Sequence, residues 1–168
     1  MPTLIRLEGG RAVIAARDPF AEAPLDGPLP DGPAVLMPLA RFQQQGPALL
    51  DEGLRIGVLL QPEEAVEDLA YDLPRLSMVA LNLPKFRDGR AYSTAALLRQ
   101  RYAFKGEVRA VGEVLREQAH LLARVGVDAF VFADGTTPEQ LEAKLSLYRH
   151  VYQAASDARP PAWAERRS

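Results

Sequence analysis

Five short apolar runs recur along the chain: AVLMPL at Ala34–Leu39, RIGVLL at Arg55–Leu60, MVALNL at Met78–Leu83, EVRAV at Glu107–Val111 and AFVFA at Ala129–Ala133. Near-continuous apolar runs of this length suit strands covered on both faces, the signature of a parallel sheet. Helical patterns lie between them. Pro62 suits a first helical position, and Glu63 and Glu64 favour the positive end of a helix dipole. Thr137-Pro138-Glu139-Gln140 reads as a capping box, and Gly126 as a helix stop. The helix before Gly126 is expected to bury Val114, Leu115, Leu121, Leu122 and Val125, and the last helix repeats Leu141, Leu145, Tyr148 and Tyr152 at steps of three and four. Gly46-Pro47 interrupts the first helical pattern, which is expected to begin near Pro47. These five strand–helix units predict an α/β fold with a mainly parallel sheet, either open and flavodoxin-like or an incomplete TIM-type barrel, joined by right-handed crossovers. Both arrangements put working loops at the C-terminal ends of the strands.

Two strands around Gly9-Gly10 are expected within Thr3–Ala15 as an N-terminal β-hairpin. The segment Asp18–Pro33 holds five prolines and two glycines and reads as a connector or a surface arm. The chain thus divides into a hairpin and arm (1–33), one α/β domain (34–155) and a polar tail (156–168) expected to fray.

The 168 residues suit one domain that needs no covalent staples. A net charge of −2 gives no global attraction to nucleic acid or to an anionic membrane. No apolar run approaches the roughly 20 residues of a membrane span, and MPTLIRLEGGR has no signal-peptide pattern, so a cytoplasmic location is expected. The chain has no cysteine, which removes thiol nucleophiles, zinc–thiolate sites and cysteine-ligated clusters. His120 and His150 are the only histidines, and they lie too far apart in the sequence pattern to suggest a shared metal. No phosphate-binding or dinucleotide fingerprint is visible. No catalytic motif is visible, and no metal or cofactor is assigned.

The stretch LPKFRDGRAYS, Leu83–Ser93, follows the third apolar run and gathers Lys85, Arg87 and Arg90 around an Asp88-Gly89 turn. Ser93 is a natural N-cap for the next helix. Three cations beside exposed helix amides favour an anion such as phosphate, sulfate or a carboxylate. Asp88, Glu113 and Asp134 follow three successive strands, and acids so placed can gather around Mg²⁺. Each also suits a bland role, as an ion pair, a first-turn acid or a turn residue. Tyr92 and Tyr102 are assigned to packing, and Arg99, Arg101, Lys105 and Arg109 to a solvated face.

The segment LRIGVLLQPEEAVEDLAYDLPRLSMVALNLPKFRDGRAYSTAALLRQRY, followed by EVRAVGEVLREQAHLLARVGVDAF, resembles the bacterial family known as domain of unknown function 934. The most specific pieces are LPKFRDGRAYS, RAVGEVLREQ (Arg109–Gln118) and GVDAF (Gly126–Phe130). Pro84, Lys85, Phe86, Asp88, Gly89, Arg90, Tyr92 and Ser93 match the family loop. Arg87 stands where Thr is frequent, Ala91 where Gly is, and Glu113 where Asp is common. Near Val125 the family often carries a cysteine that this chain lacks. Members are described as encoded beside assimilatory sulfite or nitrite reductase and are labelled oxidoreductases of sulfite reduction. The resemblance therefore implies a role in sulfur assimilation. Sulfite reduction consumes six electrons through a sirohaem and a cysteine-held cluster, which a chain without cysteine cannot hold. An accessory role is expected instead: binding an anionic ligand or nucleotide, or docking to the reductase or its electron donor. The alternatives are a small α/β oxidoreductase and a Mg²⁺-dependent enzyme.

Overall fold

A computed structural model describes residues 2–85 and 88–147. The chain forms a mixed α/β fold with eight strands: β1 (Thr3–Glu8), β2 (Arg11–Ile14), β3 (Phe20–Glu22), β4 (Ala34–Pro38), β5 (Arg55–Leu60), β6 (Met78–Leu83), β7 (Glu107–Gly112) and β8 (Ala129–Phe132). Its helices are α1 (Leu39–Asp51), α2 (Arg90–Ala96), α3 (Arg116–Arg124) and α4 (Pro138–Ser146). No helix among the described residues is long and apolar enough to cross a membrane.

The sheet order is β2-β1-β8-β7-β6-β5-β4-β3. Strands β3 to β8 pair in parallel, each beside its predecessor, while β1 pairs antiparallel with both β2 and β8. The expectation of five strand–helix units is corrected to eight strands with antiparallel members. A flavodoxin-like order requires a reversal, and β3 to β8 show none. The sheet is curled instead, with its main core on one face. Ile56, Val58, Leu60, Val79, Leu81 and Phe130 from that face pack with Phe42, Leu98, Leu122 and Leu141 from the helical segments. Alternate residues point to the opposite, concave face. There Leu36, Met78 and Ala80 form a smaller cluster with Phe20, Leu59 and Val111.

The arm takes part in the sheet. β3 lies parallel to β4, with Phe20 opposite Ala34. Buried Arg41 on α1 donates to the carbonyls of Pro24 and Gly27, at 2.7 Å each, and so pins the arm.

Three local expectations are corrected. The helix expected after Pro62 is a turn followed by two short 3₁₀ segments, Val66–Leu69 and Leu73–Arg75. Glu64 folds back so that its carboxylate accepts the Gln61 amide at 2.7 Å, and Ala65 is extended, which breaks helical propagation. Helix α1 begins at Leu39 and runs through Pro47, and the buried Phe42 ring occupies the space that a side chain at Gly46 would take. In α3 the apolar face is narrower than expected: Leu122 is buried, whereas Leu115 and Leu121 are exposed. The capping box at the start of α4 is present, with Gln140 accepting the Thr137 amide at 3.0 Å and its own amide donating to Thr137 Oγ1 at 3.3 Å. Gly126 has φ +108° and ends α3. Tyr148, Tyr152, His150 and the tail 156–168 lie outside the described residues.

Candidate functional site

The loop between β6 and α2 lies at the C-terminal ends of the parallel strands. Lys85 is exposed, and its carbonyl accepts the Asp88 amide at 3.1 Å, closing a turn. Arg90 opens α2 with Gly89 at the cap position. Asp88 accepts the Arg90 amide at 3.1 Å and grips its guanidinium with both oxygens, at 3.0 and 2.7 Å. Ser93 is exposed inside α2 and caps nothing, which corrects the expected N-cap: Asp88 has already satisfied the first amide, three residues earlier. Arg87 lies outside the described residues.

The side-chain and main-chain hydrogen bonds from Arg90 hold the Asp88 carboxyl at about 2, below its ordinary 3.8. The sign follows directly: the pairing supports the loop above pH ~4 and is lost as the pH falls through about 2. An NMR titration is expected to find Asp88 near 2 in the parent and higher in Arg90→Gln, though still below the ordinary value, because the residue-90 amide keeps its bond to the carboxylate. Equal values in the two proteins would remove the pair from solution.

The three acids after successive strands have separate engagements. Asp88 is held by Arg90. Asp134 accepts the Thr136 amide at 3.0 Å and its hydroxyl at 2.5 Å, with Arg116 at 3.7 Å. Glu113 is exposed, and its amide donates to the Leu83 carbonyl at 2.7 Å. Among the described residues no group of three His, Asp or Glu side chains is arranged to hold a metal ion. Tyr92 is half-buried; burial raises its pKa against the opposing hydrogen bond with Gln118. His120 is half-buried within α3.

A linked cluster of buried and half-buried charges lies elsewhere, on the concave face. Arg109 on β7 was expected on a solvated face but is only 2% exposed. Its Nε donates to Glu107 at 2.6 Å, and its two terminal nitrogens grip Asp18 of the arm at 2.5 and 3.1 Å. Arg6 on β1 donates to the other Glu107 oxygen at 2.7 Å and lies 4.0 Å from Asp18. Burial opposes the charge on Arg109, but the hydrogen bonds and charges of Asp18 and Glu107 outweigh it and raise its pKa. Phe20 contacts two guanidinium groups, with the Cζ atoms of Arg55 and Arg109 each 5.6 Å from the ring centroid.

This arrangement follows from strand pairing. Arg109 lies opposite Ala80 on β6 and Ala129 on β8, and Ala129 lies opposite Arg6 on β1. The small neighbours leave room for long side chains over the sheet. Gly57 gives Phe20 its seat, since a Cβ there would come within 3.3 Å of the ring and 2.6 Å of Met78. Phe20 divides the trough in two. A lobe of about 580 Å³ lies toward the strand N-termini, lined by Arg6, Arg17, Arg55, Glu8, Glu107, Ser77, Phe20 and two prolines. A lobe of about 470 Å³ toward the C-termini includes Asn82, whose amide donates to Gln61 at 2.7 Å. The sequence carried one signal for this cluster: Glu107 and Arg109 are two apart in a strand that is otherwise apolar, so both project from one face.

The family model for bacterial proteins of unknown function, DUF934, matches residues 57–163. No curated protein matches the chain. The match begins inside β5, so Glu107 and Arg109 fall within it, whereas Arg6, Asp18, Phe20 and Arg55 precede it.

Proposed function

Since the chain belongs to the DUF934 family of bacterial proteins of unknown function, we propose that it is an accessory binding protein of assimilatory sulfite reduction, docking an acidic surface of the reductase or its electron donor through the loop after β6. The sulfur context comes from the resemblance to that family. The architecture fits an incomplete barrel of the TIM type, whose C-terminal rim carries this loop. One observation supports docking over tight capture of a small anion. Arg90 is neutralised by Asp88, whereas Lys85 is exposed and no carboxylate pairs with it among the described residues. An exposed rim charge steers and orients a partner rather than enclosing a small ion.

The test is co-purification of the full chain with the assimilatory reductase at low and high salt. Salt-sensitive association is expected, weakened on the order of tenfold by Lys85→Glu, a change that breaks no ion pair among the described residues. A deletion strain is expected to grow on sulfide but not on sulfite, with rescue by the parent and poor rescue by Lys85→Glu. Normal growth on sulfite without the protein would sink the proposal, as would association indifferent to Lys85→Glu.

A further inference from the structure

The lobe of about 580 Å³ at the strand N-termini brings together three guanidinium side chains, and their surroundings differ. Arg6 is committed to Glu107. Arg17 and Arg55 are exposed, and among the described residues neither pairs with a carboxylate. Arg55 is nonetheless oriented by a cation–π contact with Phe20, its Cζ 5.6 Å from the centre of a ring seated over Gly57. Glu107 of the lining is occupied by Arg6 and buried Arg109, which leaves Glu8 as the lining acid with no ion-pair partner among the described residues. Arg17 and Arg55 therefore outweigh Glu8, and the lobe carries a local positive excess in a chain whose net charge is −2.

We infer that this lobe is a binding site for a small organic molecule ending in a phosphate or sulfate group, with the oxyanion held by Arg17 and Arg55. Guanidinium forks match such oxyanions in geometry and hold them by charge-assisted hydrogen bonds. The cation–π contact with Phe20 biases the Arg55 fork toward the lobe, so less freedom is lost on binding. The volume falls in the ~300–1,000 Å³ range of sites that enclose an organic ligand, more room than a bare ion needs. Pro19, Pro33 and the edge of Phe20 offer the apolar wall for its body. Ser77 lines the same lobe and adds a hydroxyl. The site is at the opposite end of the strands from Lys85 and stands or falls independently of partner docking.

Isothermal titration of the full-length chain tests it, using ribose 5-phosphate, ribose, inorganic phosphate and inorganic sulfate, all at ionic strength matched with sodium chloride. The phosphate-bearing sugar and the inorganic oxyanions are expected to bind, and ribose is not. Arg55→Gln and Arg17→Gln are each expected to weaken binding on the order of tenfold or more. Glu8→Gln is expected to strengthen it, and Arg101→Gln, which removes a charge outside the lobe, is expected to leave it unchanged. Tighter binding of ribose 5-phosphate than of phosphate supports an organic ester as the ligand. No oxyanion binding above the chloride control would overturn the site, as would parent-like affinity in both arginine variants or phosphate binding no weaker than that of the sugar ester. Should Arg55→Gln fold poorly, Arg17→Gln decides alone, because exposed Arg17 has no partner among the described residues to lose.

Discussion

Arg109→Met is expected to lower the free energy of unfolding by about 3 kcal/mol, the low end of the range for removing one member of a buried ion pair. The guanidinium is nearly inaccessible and bridges Glu107 on its own strand to Asp18 on the arm, 91 residues away. Methionine fills much of the volume, so the loss reflects charge and hydrogen bonding more than a cavity. The low end applies because Glu107 keeps Arg6, and the Asp18 side chain is 36% exposed and recovers some water. Phe20 also loses one of its two cation–π contacts. Arg109→Lys is expected to recover only part of the loss, since one ammonium cannot reproduce the two-pronged grip on Asp18 together with the bond to Glu107. Urea unfolding of the parent, Arg109→Met, Asp18→Asn and the double variant would measure the coupling, expected at about 1–3 kcal/mol. Additive effects would mean that the arm is held by other contacts, such as the bonds from Arg41 to the Pro24 and Gly27 carbonyls.

Gly112→Ala is expected to cost about 3 kcal/mol as well, for a different reason. Gly112 ends β7 with φ +91°, a conformation that side chains with a Cβ rarely adopt. A Cβ there would stand 2.5 Å from Asn82 Oδ1 and 2.6 Å from the Leu83 carbonyl oxygen. The amide of Asn82 can rotate away at the cost of its bond to Gln61. The Leu83 oxygen cannot move so freely, because it belongs to the β6 backbone and accepts the Glu113 amide. Backbone strain and overpacking therefore add, each worth roughly 1–3 kcal/mol. Gly89→Ala is the control. Gly89 has φ −85° and open space around its Cβ position, so its replacement is expected to stay within about 0.5 kcal/mol of the parent. Chemical denaturation of the two variants side by side checks this, and a parent-like Gly112→Ala would show that the end of β7 can relax without cost.

Local chemistry was legible wherever one segment decides its own conformation. The runs RIGVLL and MVALNL became β5 and β6 at the expected residues, because a central strand buried on both faces must be apolar along its whole length. Thr137 and Gln140 capped α4 because both partners lie within one turn. Failures arose where two local solutions compete. Ser93 fell inside α2, which starts three residues earlier after a turn closed by Asp88 on the Arg90 amide, and Glu64 closed a turn where Pro62 suggested a helix.

The sequence by itself determined that this chain makes mainly parallel strands, most of the later ones joined by helices, and that a basic loop follows β6. Only the tertiary structure decided that the sheet winds in one direction and curls, that the proline-rich arm adds a strand to its edge, and that Asp18 and Phe20 meet Arg109 and Arg55. The physical reason is range. Helix periodicity, caps and turns depend on neighbours a few residues apart, whereas the concave cluster depends on pairing between segments up to about a hundred residues apart, whose register no local pattern encodes.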